Sequence, residues 1–313
     1  FEEADVVVEH TYTTRQADHC FIEPEAGVAW IDSTGVINIR WPTQLLENYR
    51  AVARVLGVPA GRVRIQSPMV GGGFGGKEQP LVAAWLALLA QATRRPVRMT
   101  LSREDTFLGG SKKHPFVMKY RTAAKGDGTL TAMDVEVLAD AGAYRTNTAI
   151  ITMGAMVLAQ GSYNVENVRV AVRGAVTNRP FSDAMRGVGC NQITFAVEGQ
   201  IEAVARALGM DPLEVRRKNY LGKGDPLPVG QAIENHVDLD RLTREVERLA
   251  LDVKRRDSVC QIPIRVTNCS RCQGYGLPRG GLRDVQVFLH NKHLLTRGVD
   301  AEPAQQRLLV GER

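Results

Sequence analysis

No uninterrupted apolar run in this 313-residue chain approaches the roughly 20 residues that a membrane-spanning helix requires, so no helical span is expected. Aromatic residues are scarce at 6%, the basic residues are scattered rather than gathered with them into stacking stripes, and the net charge is only +6, so nucleic-acid binding gains little support. The five cysteines, Cys20, Cys190, Cys260, Cys269 and Cys272, form an odd set with no disulfide framework. That agrees with a reducing, cytoplasmic compartment. The opening Phe1-Glu2-Glu3-Ala4-Asp5 has neither an initiator Met nor a charged-then-apolar leader, and the expectation is an intracellular protein whose start has been removed.

At 44% hydrophobic residues, the chain can bury a large core and would ordinarily hold two or more subdomains. Its periodicities are mixed α and β. Asp5 to Tyr12 alternates, and two strand-like runs within Gly27 to Arg40 break at the turn signal Asp32-Ser33-Thr34-Gly35. Gln44 to Leu56 has helical spacing and stops at Gly57 before Pro59; Arg62 to Gln66 reads as a short strand. Pro96 to Ser102 is another strand, Lys119 to Ala124 and Leu130 to Ala139 flank the hairpin turn Gly126-Asp127-Gly128, and Val168 to Val176 is a strand that follows an irregular stretch from Tyr144 to Gly161. Ile193 to Leu208 is an amphipathic helix closed by Gly209.

The glycine run Val70-Gly71-Gly72-Gly73-Phe74-Gly75-Gly76-Lys77-Glu78 carries the most chemistry, because so much entropic cost needs a reason, either positive φ angles or close approach of another group. It is expected to lead directly into the apolar helix Gln79 to Thr93, whose first N–H groups and dipole would favour an anion or flat cofactor. A glycine-rich turn needed only for tight packing is the alternative. A P-loop is excluded, since Glu78 stands where a magnesium-binding hydroxyl should follow Lys77, and with it goes a phosphoryl-transfer enzyme. Gly71, Gly73 and Gly76 spell G-x-G-x-x-G, but the acidic residue a dinucleotide fold needs some twenty positions on is replaced by the basic Arg94-Arg95-Pro96-Val97-Arg98. A second loaded stretch, Asp183-Ala184-Met185-Arg186-Gly187-Val188-Gly189-Cys190-Asn191-Gln192, sets a glycine-bracketed arginine just before a helix. Its plain alternative is an arginine paired with a carboxylate.

Taken in order with His19-Cys20-Phe21-Ile22-Glu23-Pro24-Glu25 and Glu214-Val215-Arg216-Arg217-Lys218-Asn219, these stretches resemble the molybdopterin-binding subunit of the xanthine dehydrogenase/aldehyde oxidase family over roughly residues 4 to 250. The resemblance implies an α+β fold of mixed sheets with packed helices, and a molybdenum hydroxylase that oxidises a purine-like N-heterocycle, or an aldehyde, with water as the oxygen source. It implies a molybdopterin cofactor in its cytosine dinucleotide form, iron–sulfur and FAD units on partner chains, and a second molybdopterin-binding chain. Gly72, Gly73, Phe74, Gly75, Met185, Arg186, Gly187 and Gln192 would border the cofactor. Glu78 and Arg186 would orient substrate, and Glu78 has a helix-start carboxylate as its plain alternative.

Departures narrow this reading. Val188 replaces a ring-stacking phenylalanine of the purine enzymes, Ala17 stands where the family places a glutamine before His19, and Gly154 lies near the expected position of a second substrate arginine. The family's late glutamate base has no counterpart, and a non-catalytic cofactor-holding module is the rival reading. Residues 1–252 are expected to form the molybdopterin-binding region and 253–313 an atypical tail, where Cys269-Ser270-Arg271-Cys272, Cys260, His290 and His293 match no zinc template; no metal ligand is assigned.

Overall fold

The computed structural model describes residues 1–227, 229–234 and 238–256, and the cysteine and histidine readings of the tail fall outside them. In chain order the first body holds β1 (Val6–Thr13), β2 (Ala26–Ile31), β3 (Ile37–Arg40), α1 (Tyr49–Leu56), β4 (Val63–Gln66), α2 (Leu81–Thr93), β5 (Val97–Thr100), α3 (Arg103–Gly109), β6 (Lys112–Lys113), β7 (Phe116–Ala124) and β8 (Leu130–Gly142). It continues with α4 (Thr148–Val157), β9 (Asn167–Val176), β10 (Ser182–Asp183), α5 (Cys190–Leu208) and α6 (Pro212–Lys218), and the compact unit ends at Leu239. The helix α7 (Leu239–Arg256) belongs to a second unit and carries Leu242, Val246 and Leu249 along one face.

Two four-stranded sheets organise the first unit. One has the order β1-β7-β8-β9, antiparallel except for the parallel β8/β9 pair that α4 connects. Alternation along β7 turns Phe116, Met118 and Tyr120 inward, where they meet Ile193, Val197, Ile201 and Val204 on α5. Each such side chain contributes about 1.5–3 kcal/mol by leaving water. Gln200 is buried in that interface and fully engaged: it accepts from Tyr12 Oη and donates to Val8 O and Thr122 Oγ1.

The second sheet has the order β4-β3-β2-β5 and buries Ala29, Ile37, Ile39 and Trp41 against Val82, Leu86, Ala87 and Ala90 of α2. Its only parallel pairing is β3 with β4, so the strand–loop–helix unit around the glycine run sits in a mixed sheet and not in a doubly wound one. The two predicted hairpins form with their predicted turns.

Two readings need correction. The stretch expected to be irregular from Tyr144 to Gly161 contains α4, whose sequence is apolar nearly all round: Ile151 and Ala155 are buried while Ile150, Met153 and Met156 face water, so no stripe marks it as helical. The glycine run also does not feed a helix directly. Residues 74–77 form a turn, and α2 starts only at Leu81 after Pro80, whose φ preference suits a helix boundary and which leaves no side chain to cap it.

Candidate functional site

The turn after β4 and the turn after β10 meet through a single backbone bond, in which Arg186 N–H donates to Phe74 O at 2.9 Å. Glycine permits this approach: a Cβ on Gly75 would lie 2.2 Å from Ala184 O, and the residue has φ +100°. Ala184 O also receives His19 Nε2 at 2.7 Å, so the buried histidine ties the arginine loop to the segment that precedes β2. Burial pushes His19 below its ordinary range, opposed by the Ala184 bond and by the nearby charge of Asp18.

Side chains from elsewhere pin the glycine run. Gln44 Oε1 accepts from Gly75 N at 2.9 Å and from Lys77 N at 3.3 Å. Asn48 Nδ2 donates to Glu78 O at 2.8 Å. Lys77 is fully buried, donates to Glu23 Oε2 at 2.5 Å and sits 4.8 Å from the centre of the Phe21 ring, while Gly71 N donates to the same Glu23 oxygen. Burial alone would raise the Glu23 carboxyl, yet the Lys77 and Gly71 bonds hold it below the ordinary value.

This packing revises the reason for the glycines. A Cβ on Gly73 would lie 2.3 Å from Gln44 Oε1, one on Gly71 would lie 2.5 Å from Glu23 Cβ, and one on Gly76 would lie 2.7 Å from the Phe21 ring. Tight protein packing therefore requires these three, whereas a ligand can reach what the packing leaves open. Among the described residues, the N–H groups of Gly72, Gly73 and Phe74 donate to no protein acceptor. Phe74 itself has φ +55° and an exposed ring, a strained conformation that the bonds on either side of it maintain.

Across the contact, Arg186 is exposed and its guanidinium makes no hydrogen bond or ion pair among the described residues; its carbonyl accepts from Asn191 Nδ2 at 2.7 Å. Met185 is half-buried, and Gly187 at φ +101° lets the loop turn back beside Asn191. Gln192 departs from expectation. It is buried, and its amide donates one N–H to His114 O at 3.1 Å, so it braces the protein interior.

Glu78 is half-buried, and burial, followed by the charge of Asp183, pushes its carboxyl upward. Its Oε2 accepts from Asn147 Nδ2 at 3.2 Å. The helix-start alternative for Glu78 loses weight because α2 begins three residues later and the partner is Asn147 instead of α2 amides. Asp183 is buried, accepts from Gln79 Nε2 at 2.5 Å and from Ala184 N at 2.7 Å, and its backbone oxygen meets His114 Nδ1 at 3.2 Å. The sequence brought Glu78, Phe74 and Arg186 forward; it missed Gln44, Asn147 and Asp183, which act only across the fold. A cavity of about 390 Å³ lined by Phe21, Glu25, Gln79, Trp85 and Ser111 includes none of Phe74, Glu78 and Arg186. Among the described residues no cluster of His, Cys, Asp and Glu forms a metal site, and no helix is long and apolar enough to cross a membrane.

Comparison with known proteins gives the family of the chain. The molybdopterin cofactor-binding domain family matches residues 1–220. The chain is 41% identical over 254 residues to the nicotinate dehydrogenase large molybdopterin subunit of Eubacterium barkeri, covering 81% of this chain and 60% of that subunit. It is 37% identical over 247 residues to the xanthine dehydrogenase of Drosophila pseudoobscura pseudoobscura, covering 77% of this chain and 18% of that one. Among solved structures, the aldehyde oxidoreductase from Desulfovibrio gigas superposes with a TM-score of 0.77 at 32% identity, over 83% of this chain and 29% of that chain. Quinoline 2-oxidoreductase from Pseudomonas putida 86 gives 0.75 at 26% identity, over 82% and 34%. The chain thus spans less than two thirds of each of these relatives. With its α+β sheets, its paired loops and this match over most of its length, the chain belongs to the molybdopterin cofactor-binding domain family of the xanthine dehydrogenase/aldehyde oxidase molybdenum hydroxylases.

Proposed function

We propose that this chain supplies the two-loop wall of a molybdenum hydroxylase that oxidises an N-heterocycle with water as oxygen source and passes electrons to iron–sulfur and FAD units on partner chains. One observation carries the reading: the Arg186–Phe74 bond joins the loop whose amides at Gly72, Gly73 and Phe74 have no acceptor among the described residues to the loop that carries an exposed guanidinium. Fixed N–H donors of this kind suit the oxygens of a molybdopterin, because they need no change of protonation and little reorganisation. When bound, that group supplies two-electron redox chemistry. Met185 and Gly187 complete the second side of the wall, and the cytosine dinucleotide form belongs to the proposal as well.

The chain's own residues would bind and orient the substrate. Arg186 offers a planar, bidentate donor to a ring oxygen or a carboxylate, because no group among the described residues holds its guanidinium. Glu78, its carboxyl pushed upward by burial and Asp183 and bonded to Asn147, can meet a ring nitrogen or carbonyl by a hydrogen bond. Relatives named for nicotinate and quinoline support an N-heterocycle. The aldehyde oxidoreductase relative supports an aldehyde as the second reading, and Val188 in place of an aromatic wall favours a tolerant site. A base for the reaction is not assigned to any residue described. The proposal also divides the chain into a cofactor-binding region at 1–252 and a tail at 253–313, allows a second molybdopterin-binding chain, and places the assembly in the cytoplasm, in keeping with the odd cysteine set.

The test is metal and pterin analysis of the chain purified after co-expression with iron–sulfur and FAD subunits under molybdenum-replete conditions. Equimolar molybdenum and pterin are expected, with hydroxylation of a carboxylated N-heterocycle that Arg186→Ala weakens through KM. A complex without either component would overturn the reading.

A further inference from the structure

The entry to α4 carries two local irregularities with one outcome. Thr146 has φ +35°, a left-handed backbone that a β-branched residue adopts only under strain, and its hydroxyl is anchored by donation to Ser182 O at 2.6 Å. The next residue, Asn147, occupies the N-cap of α4, where an asparagine ordinarily turns its side-chain oxygen onto the first free N–H groups of the helix. It makes no such bond, and its φ of −87° and ψ of 15° depart from the extended backbone that capping uses. Its amide donates instead to Glu78 Oε2, across 69 residues of sequence. A strained residue and a forgone cap therefore converge on one hydrogen bond at the candidate site.

We infer that Asn147 is a positioning residue, which fixes the Glu78 carboxyl in a single orientation at the wall of the site, with Thr146 holding the turn that presents it. The inference rests on Glu78 as a substrate-facing group. An amide bound to one carboxyl oxygen stops rotation of the group and leaves the other oxygen for a ligand. The neighbouring charges define what that bond does. Asp183 on β10 opposes ionisation of Glu78, His114 beside Asp183 is kept toward its neutral form by burial, and the Lys77 ammonium is committed to Glu23. The Asn147 N–H donates to the carboxyl, and a donor to a carboxylate favours its ionised form, against burial and the charge of Asp183.

The experiment is an infrared pH titration of the full chain labelled with ¹³C-glutamate, in which the Glu78 carboxyl band is assigned by its loss in Glu78→Gln. Asn147→Leu should move the Glu78 midpoint upward by about half to one pH unit, the worth of one hydrogen bond to the charged form. Asn147→Asp should move it further, because a second carboxylate adds like charge. In the assembled complex Asn147→Leu should raise KM for an N-heterocycle and leave molybdenum content unchanged. A Glu78 midpoint unmoved in the folded variants would overturn the inference, and Asn147→Asp decides alone if the leucine variant does not fold. A wild-type complex without molybdenum would defeat the cofactor reading while the titration still tests the Asn147 contact.

Discussion

The two loops of the site are held by different means. Side chains from distant segments pin the glycine run at 71–78: Gln44 grips Gly75 and Lys77, Asn48 grips Glu78, and Glu23 closes on the buried Lys77. The loop at 184–189 rests on one backbone joint to Phe74, a side-chain brace from Asn191 in the first turn of α5, and one titratable contact, His19 at Ala184 O. A loop with amides to offer must have its other amides satisfied from behind; a loop that offers a side chain needs only its backbone fixed. The first is thereby the stiffer wall; acid reaches the second through His19 and the first only through the Glu23 carboxylate that holds Lys77 and Gly71.

Removing the clearance between the loops should have the largest effect. Gly75→Ala places a Cβ 2.2 Å from Ala184 O on a backbone at φ +100°, so both loops must separate, at a cost of about 2–4 kcal/mol. Denaturant unfolding of the full chain measures it, and an unchanged midpoint would show that the loops are not in contact.

Gln44→Ala should sharpen the contrast. It leaves the amides of Gly75 and Lys77 without their acceptor, costing about 1–3 kcal/mol, and should speed hydrogen exchange at those two amides while that of Val188, bonded within its own loop, stays as before. Equal acceleration in both loops would mean that the two are one support.

Mild acidification, above the carboxylate range in which Glu23 would be protonated, should produce the smallest effect, acting on the arginine side. Burial holds His19 and His114 below their ordinary value, so folding favours their neutral forms. That contribution is fully present above the unfolded value near 6.5 and is lost as pH falls through the lower folded values. Stability should therefore decline below about pH 6.5, and His19→Gln should flatten the decline. A variant with the same slope as the wild type would remove His19 from the account.

Local signals made much of this legible. The hairpin around Gly126-Asp127-Gly128 and the stripe along α5 needed only alternation and helical spacing, and both are present. Overlooked helices still carried marks: Ser102 and Asp105 form a capping box for α3, and Asp211 with Pro212 opens α6. The apolar, stripeless α4 carried none. In the site, glycines and an arginine announce themselves by type and order, but Gln44 and Asn147 are ordinary polar residues whose partners lie 31 and 69 positions away. Resemblance supplied the proposed role of the glycines as a ligand wall, and only packing showed that Gly71, Gly73 and Gly76 also make room for Glu23, Gln44 and Phe21.

The span of chain between the partners of the site also sets its timing. Phe74 waits for Arg186, and His19 waits for Ala184, 165 positions later, so neither joint can close until the arginine loop has left the ribosome. The sheet formed by β2 to β5 is complete well before then, with its glycine run in place and nothing opposite it. During synthesis the Phe74 carbonyl and the His19 ring therefore stand without their partners until the arginine loop arrives, which makes the joining of the loops a late event in folding the first unit.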